Sequence, residues 1–293
     1  MSGANFAYLS LSIALAVLNG GILHHWGDRE LKNSGDILLF NGGISAIWFV
    51  MVMLLGGIPK RPSWETIGLG AGYGVVIAGF LLSKMQALAT GNMSVTLMVG
   101  SCSMVLPTIL GSLIWHEAVS VWQGAGLVFL LIAMGLSVRR SKGQSGGLRW
   151  KWYCVLFFVF SGLSGFLFKV QQNSAVSEQV AEFVWIAAIV SAAGLTAAAF
   201  MKNRLEHAPC PRISRAAWKP MIFCGICSCA YNWINILLAG RMPSAIFFPL
   251  FNGCVILGGV AVSHFAFGES LSGRQMFALG LGVVSMIIVG IGG

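Results

Sequence analysis

The polar side chains best suited to bind a solute occur at the same spacing in two apolar stretches of the chain. Ser83 and Gln86 lie three residues apart in one stretch, and Asn232 and Asn235 lie three residues apart in the other. Residues three or four apart share one face of a helix, so each pair predicts a polar face. Tyr231 lies four residues before Asn235 and adds a hydroxyl group to the second face. Such groups bind solutes through hydrogen bonds, but they also join helices to one another, and both interpretations stay open.

Other polar residues inside apolar stretches extend the set of binding candidates. Asparagine is harder to hide in hydrocarbon than serine or threonine, whose hydroxyl groups can bond back to their own helix. The asparagines are therefore the better candidates, and helix packing is the alternative role of the serine. These further candidates are Asn19, Asn41, Ser101 and Asn252.

The charged residues limit the chemistry. All nine Asp and Glu residues lie in polar breaks or at the ends of apolar stretches, which favours a neutral, zwitterionic or anionic solute over a permanent cation. Lys84 and Lys169 are the basic residues well inside apolar stretches. Each is near enough to an end to extend its ammonium group to water. A lysine that points inward would instead favour a carboxylate or phosphate on the solute.

Catalysis is not expected from this sequence. An intramembrane enzyme would need clustered carboxylates, a metal-binding set of His and Cys, or a nucleophile with a base. Cys224, Cys227 and Cys229 lie close together, but no second cluster supplies the further ligands of a zinc site. We therefore predict no enzyme activity, no cofactor and no metal.

The composition predicts an integral membrane protein. Of the 293 residues 57% are hydrophobic and 9% are charged, whereas a soluble domain carries roughly 25% charged residues. The net charge of +9 comes from Lys and Arg residues that lie almost entirely in the polar breaks, as membrane insertion produces. Nucleic-acid binding is excluded, because it needs a basic stripe with interleaved aromatic residues.

Ten apolar stretches are long enough, or nearly so, to cross a bilayer as helices, which takes about 20 residues. The short alternating segments of a membrane β-barrel are not seen. The fold prediction is therefore an all-α membrane protein of ten transmembrane helices. The predicted spans are 5–23, 37–57, 66–88, 93–115, 121–138, 153–172, 180–201, 221–239, 244–267 and 275–292.

The chain contains an internal repeat. A Glu, a Ser and a Gln recur at identical spacing near the end of each half, as Glu117, Ser120 and Gln123 and again as Glu269, Ser272 and Gln275. The polar segment after the fifth span divides the chain into five-helix repeats at 1–145 and 146–293. Because each half holds an odd number of spans, the second repeat is predicted to be inverted, as in secondary transporters. We interpret the two glutamates as structural end markers that bond turn amides or the amino terminus of the following helix.

In each half a helix leads to a short segment with Ala and Gly, which is 87–93 in the first half and 237–242 in the second. A long helix ending in Glu follows, and then Ser and Gln at the start of a glycine-rich closing helix. This pattern resembles the drug/metabolite transporter superfamily, in particular its EamA-like members, most clearly over 78–138 and 226–291. The resemblance implies a ten-helix carrier of small organic solutes such as amino acids, nucleosides, amines or drugs. We expect alternating access around a midplane site. A membrane scaffold or sensor without a solvated cavity is the alternative.

The basic residues also bear on orientation. Fourteen Lys and Arg residues lie in or nearest the loops of one face and four on the other, which places both termini outside the cytoplasm. The resemblance implies cytoplasmic termini, so orientation stays open. We expect a multi-pass protein of a bacterial plasma membrane. Its partners would be the solute and the lipid bilayer, with an exchanged solute or counter-ion as an open alternative.

Overall fold

The computed structural model describes residues 3–31, 33–56, 61–91, 93–117, 120–137, 147–267 and 272–291. These ranges form eleven α-helices and no β-strand. The helices are α1 (Gly3–Glu30), α2 (Ser34–Gly56), α3 (Trp64–Thr90), α4 (Met93–Cys102), α5 (Val105–Trp115), α6 (Val121–Ser137), α7 (Leu148–Gln172), α8 (Val180–Leu205), α9 (Arg215–Arg241), α10 (Ser244–Phe267) and α11 (Gly273–Ile291).

Seven of these helices are long and apolar enough to cross a membrane: α1, α2, α3, α7, α8, α9 and α10. Large apolar and aromatic side chains are exposed on their outer faces, including Leu55 at 78% and Trp64 at 87% exposure. Water-soluble proteins rarely expose extended apolar surface. The chain is therefore a multi-pass membrane protein.

The predicted fourth span, 93–115, is two short helices rather than one. α4 and α5 have 10 and 11 residues, so each is shorter than the roughly 20 residues that cross a bilayer. The break lies at Ser103 and Met104, next to Pro107. Proline donates no backbone hydrogen bond and its ring crowds the carbonyl group four residues earlier, which is that of Ser103. Pro249, by contrast, lies inside the continuous helix α10.

The repeated Ser-x-x-Gln sequence caps the closing helix of each half. The backbone N–H of Ser120 donates to Gln123 Oε1 (3.0 Å), and the N–H of Gln123 donates to Ser120 Oγ (3.2 Å). Ser272 and Gln275 exchange the same two bonds, at 3.0 and 3.3 Å. Such a reciprocal capping box satisfies backbone donors that a helix start leaves free. Gln123 and Gln275 thus have matching structural roles, whereas Glu269 lies outside the described residues.

The third helix of each half also begins in the same way. α3 and α9 both contain 27 residues. Ser63 caps α3 by accepting a hydrogen bond from the N–H of Thr66 (3.1 Å), and Ser214 caps α9 by accepting one from the N–H of Ala217 (3.2 Å). The local sequence therefore sets equal starting points for the two helices that carry most of the polar candidates.

Most pairs of packed helices have a counterpart in which each helix is replaced by the corresponding helix of the other half. With α1, α2 and α3 matched to α7, α8 and α9, α3 packs on α7 and α8, and α9 packs on α1 and α2. The pairs α2–α8 and α6–α11 map onto themselves. Two pairs lack a counterpart among the described residues. α7 packs on α9, whereas α1 and α3 have at most marginal contact, and α6 packs on α10, whereas α11 has at most marginal contact with α4 and α5.

Glycines let α3 approach α8 closely. A Cβ atom on Gly70 would lie 3.0 Å from the Phe183 carbonyl oxygen, and one on Gly74 would lie 2.8 Å from the Ala187 carbonyl oxygen. Gly68 and Gly72, on another face of α3, would meet nothing within 4 Å. Small residues spaced by four thus form one contact face, on which α3 is held against the second half.

Candidate functional site

A cavity of about 500 Å³ lies among helices of both halves. Its volume falls within the roughly 300–1,000 Å³ typical of small-molecule sites. Aromatic side chains form much of the wall, and five asparagines supply amide groups. The polar lining side chains are Asn19, Asn41, Ser45, Trp48, Tyr73, Lys84, Ser103, Ser161, Ser164, Ser228, Tyr231, Asn232, Asn235 and Asn252.

Three asparagines share one arrangement at the cavity. Asn41, Asn232 and Asn252 each donate one amide hydrogen to the carbonyl oxygen four residues earlier, at 2.8, 2.8 and 2.9 Å. This bond orients the side chain and uses one of its two N–H groups. The second N–H group and the amide oxygen of Asn41 and Asn252 remain available to a bound solute, whereas the side chain of Asn232 also has a hydrogen bond with Tyr231.

Asn19 and Asn235 differ in how their amide oxygens are used. Asn235 is buried, and its Oδ1 accepts a hydrogen bond from Ser12 Oγ (2.6 Å). Asn19 is 9% exposed, and its buried Oδ1 accepts no hydrogen bond from the described residues. Leaving a buried acceptor unsatisfied costs about 1–3 kcal/mol. Such an atom on a cavity wall is a binding position for a donor group of a ligand.

Two helices contribute rigid aromatic groups to the wall. The indole Nε1 of Trp48 donates to Ser228 Oγ (2.7 Å), which fixes the ring of α2 against α9. Tyr73 packs its ring between Phe168 and Phe183, at centroid distances of 5.0 and 5.2 Å. Tyr73 is absent from the candidates predicted from the sequence. A tyrosine between two glycines in the middle of an apolar span, Gly72 and Gly74, is the feature that identifies it.

The predicted polar face of α3 lies away from the cavity. Ser83 and Gln86 are not lining residues, and the Ser83 hydroxyl donates to the carbonyl oxygen of its own helix at Gly79 (2.6 Å). The α3 side chains that do line the cavity include Phe80 and Lys84. The α9 lining residues Tyr231, Asn232 and Asn235 correspond to Phe80, Leu81 and Lys84 of α3, and the same register pairs the helix caps Ser214 and Ser63. Aligning Gly91 with Gly240 is thus two residues away from the register of the cavity, which is a rotation of about 200° around a helix.

The remaining predicted candidate, Ser101, belongs to α4, and its side chain lies outside the described part of the structure. Ser103, two residues further along the chain, lines the cavity. Its hydroxyl group shares a hydrogen bond with that of Ser161 on α7, with 2.6 Å between the oxygens. The hydroxyl groups beside the helix break therefore join α7 to the α4–α5 segment. This arrangement serves packing as well as the cavity.

Lys84 places a positive charge at the cavity. Its Nζ lies 5.8 Å from the centroid of the Phe80 ring. The described carboxylates form no ion pair with it. A cation over an aromatic ring gains roughly 0.5–2 kcal/mol, which does not replace a counter-charge. Lys84 is therefore a charged group without a charged partner among the described residues.

Lys169 is paired instead. It is 4% exposed, and its Nζ lies 2.5 Å from Glu117 Oε1 and 3.1 Å from the Met242 carbonyl oxygen. The other carboxylate oxygen of Glu117 accepts the N–H of Ser244, the first residue of α10, at 2.7 Å. The ion pair thus joins the ends of α5, α7, α9 and α10. Glu117 thus bonds a helix amino terminus, where the helix dipole favours a negative charge. The bonded N–H belongs to α10, whereas the sequence predicted turn amides or the following helix, which is α6.

Opposing effects act on the pKa of Glu117. Burial alone would raise the pKa, but hydrogen bonds from Lys169 and Ser244 and the charge of Lys169 hold it below its ordinary value. The carboxylate is therefore ionised at neutral pH, and the cluster is an ion pair rather than a neutral hydrogen bond.

A second hollow of about 680 Å³ lies among α2, α8 and α9. Its wall is aliphatic and aromatic apart from Thr196 and the Trp218 indole. A polar solute would find almost no hydrogen-bonding groups there. The central cavity is therefore the candidate site.

Comparison with known proteins supplies the fold alone. No protein-family model matches the chain. No curated protein sequence matches it either. Twenty-nine chains of solved structures match. One of them, described as "Crystal structure of protein", has a TM-score of 0.75 and 13% sequence identity, and the match covers 97% of this chain and 98% of the other. The chain therefore shares its overall fold with solved structures.

Proposed function

We propose that the protein is a secondary carrier that moves a small organic metabolite across a membrane by alternating access. The observation that carries the proposal is the central cavity, which brings asparagine, tyrosine and lysine side chains of both halves together inside a membrane bundle. Polar groups inside a membrane are expensive, and in carriers they mark the path of the solute.

The packing of the helices supports two inverted five-helix repeats of ten spans, with α4 and α5 together forming the fourth span. The matched capping of α3 with α9 and of α6 with α11 agrees with this division, as does the exchange of packing partners between the halves. Membership of the drug/metabolite transporter superfamily stays a prediction, as does the bacterial plasma membrane.

The ends of the repeats differ, as alternating access requires. The ends of α7 and α9 are held together by Lys169, which bonds both Glu117 and Met242. The matching part of α1 carries Gly20 and Gly21 and has no Lys or Arg before Arg29, although His24 and His25 lie there. The α7–α9 side is thus closed by charged and hydrogen-bonded contacts, and transport would need this cluster to open. A scaffold or sensor would need neither the cavity nor such an asymmetry.

A binding screen followed by a transport assay tests the proposal. The purified protein is heated with amino acids, nucleosides, amines and sugar phosphates, and any solute that raises the unfolding temperature is tested for exchange into proteoliposomes. Asn232→Ala should weaken both binding and exchange, whereas Ser83→Ala, a buried polar change outside the cavity, should leave both intact. If no solute binds or exchanges, the proposal is wrong.

A further inference from the structure

We propose that the transported solute is a small organic anion, whose carboxylate or phosphate group binds Lys84 and whose hydroxyl or amino group binds Asn19. The inference rests on the proposed transport function and adds the chemical class of the solute. Three features of the central cavity carry it: its charges, its unsatisfied acceptor and its aromatic wall.

The charge of the cavity is positive. Lys84 is the one charged side chain among the described residues that line it. Glu117 forms an ion pair with Lys169 and Glu206 forms one with Lys202, and neither glutamate lines the cavity. A site with a cation and no anion repels cationic solutes and attracts anionic ones.

Lys84 does not have the surroundings of a structural lysine. Lys169, on α7, is held by a carboxylate and a backbone carbonyl oxygen, which together satisfy its charge and two of its hydrogens. Lys84 has the Phe80 ring nearby and is held by no described hydrogen-bond acceptor. The anionic group of a solute would give Lys84 a negatively charged hydrogen-bond acceptor, as the Glu117 carboxylate does for Lys169.

The remaining groups describe the rest of the solute. Asn19 Oδ1 is a buried acceptor at the cavity wall without a hydrogen bond from the described residues. It can accept a hydrogen bond from a hydroxyl or amino group of the ligand. The wall near Lys84 includes Phe80 and Phe157, whose rings lie 5.4 Å apart. These rings suit a carbon skeleton better than a small hydrated ion. The solute is therefore an organic acid with at least one hydrogen-bond donor.

The test measures binding of compounds that share a phenyl ring and differ in the charge of their polar group. The probes are 3-phenyllactate, 3-phenyllactamide and 2-phenylethylamine, with phenyl phosphate and phenol as the phosphate pair, added to the screen described above. Dissociation constants are measured for the wild type, Lys84→Gln, Lys84→Arg and the exposed control Lys219→Gln. The carboxylate and phosphate arms also distinguish the two acidic groups.

We expect every bound solute to carry a carboxylate or phosphate. Lys84→Gln should weaken its binding about 10- to 100-fold, while Lys84→Arg and Lys219→Gln should change it little. Asn19→Leu, a second variant that keeps the lysine, should weaken 3-phenyllactate more than phenyl phosphate, because the phosphate ester has no hydroxyl group on its carbon skeleton.

Two results would overturn the inference and leave the carrier standing: preferential binding of amides or amines, or anion binding that Lys84→Gln does not affect. Failure of every solute to bind or exchange would overturn the transport proposal itself, and this inference with it. A Lys84→Gln protein that does not fold would not end the test, since the charge preference of the wild type decides it alone.

Discussion

Lys84 and Lys169 both lie within long membrane helices, but they differ in whether the ammonium group has a charged partner. Lys169 is enclosed by Glu117 and the Met242 carbonyl oxygen at the ends of four helices. Lys84 lies at a cavity wall beside the Phe80 ring, with no charged partner among the described residues. Lys169 therefore stabilises the contact between helix ends, whereas the ammonium group of Lys84 can still bind an anionic group.

This difference indicates that the bundle uses one buried charge for stability and another for ligand binding. A buried ion pair is hard to break one side at a time, because the remaining charge is left without a partner. An unpaired charge lowers the stability of the empty protein and is tolerated where a ligand satisfies it. Opposite responses to the same substitution would therefore distinguish the two lysines.

Lys169→Met should produce the largest effect. Removing the ammonium group leaves the ionised carboxylate of Glu117 buried beside Ser244, which we expect to lower the free energy of unfolding by about 3 kcal/mol. Denaturant unfolding of the purified protein in mixed micelles measures the change. The double variant Glu117→Gln with Lys169→Met should recover most of the loss, and a double variant no more stable than Lys169→Met would show that the pair is not the cause.

Gly74→Ala should have the next largest effect, since it tests the packing that positions the helix of Lys84. The new Cβ would lie 2.7 Å from Val190 Cβ and 2.8 Å from the Ala187 carbonyl oxygen, so α3 must move away from α8. Overpacking of this kind costs about 2 kcal/mol. In the same unfolding assay Gly72→Ala, which meets nothing within 4 Å, should be neutral or slightly stabilising. Equal losses for both variants would contradict this packing.

The helical membrane architecture could be predicted from the sequence because apolar length and charge placement are local properties of the chain. The serine and glutamine that begin α6 and α11 were also recognisable, since a capping box depends on residues three positions apart. The break at Ser103 was not predicted. Proline can either divide a helix, as Pro107 does, or remain within one, as Pro249 does, and the outcome depends on tertiary packing.

The candidate site was harder to predict, because facing a cavity depends on rotation about a helix axis. Most of the asparagines were identified from the physical cost of hiding an amide in hydrocarbon, and Asn19, Asn41, Asn232, Asn235 and Asn252 all line the cavity. Ser83 was placed on the wrong face by an alignment two residues away from the register of the cavity. The partners of the two lysines could not be predicted, since Glu117 is distant from Lys169 in the chain.

Lys84→Met should raise the stability of the ligand-free protein, in contrast to Lys169→Met. The substitution removes a charge that has no charged partner among the described residues and keeps a flexible apolar side chain of similar length. We expect a gain of about 1 kcal/mol in the same unfolding assay, less than the full cost of a charge in hydrocarbon because Lys84 lines a cavity that contains polar side chains. Lys84→Arg keeps the charge and should show no such gain. A loss of stability in Lys84→Met would mean that Lys84 has a structural role like that of Lys169.

Acid should weaken the Glu117–Lys169 cluster and leave the Lys84 region unchanged, which is the smallest effect expected. The pKa of Glu117 is held below its ordinary value in the folded protein, so its contribution is present in full above the ordinary carboxyl pKa, about 4.3, and is lost as the pH falls through the lowered value. Unfolding temperatures between pH 3 and 7 should therefore converge with those of the Glu117→Gln, Lys169→Met double variant only below about pH 4.3. The loss should be smaller than that of Lys169→Met, because a protonated Glu117 still accepts the N–H of Ser244. A constant difference down to pH 3 would show that the carboxylate charge contributes nothing to closing this end of the bundle.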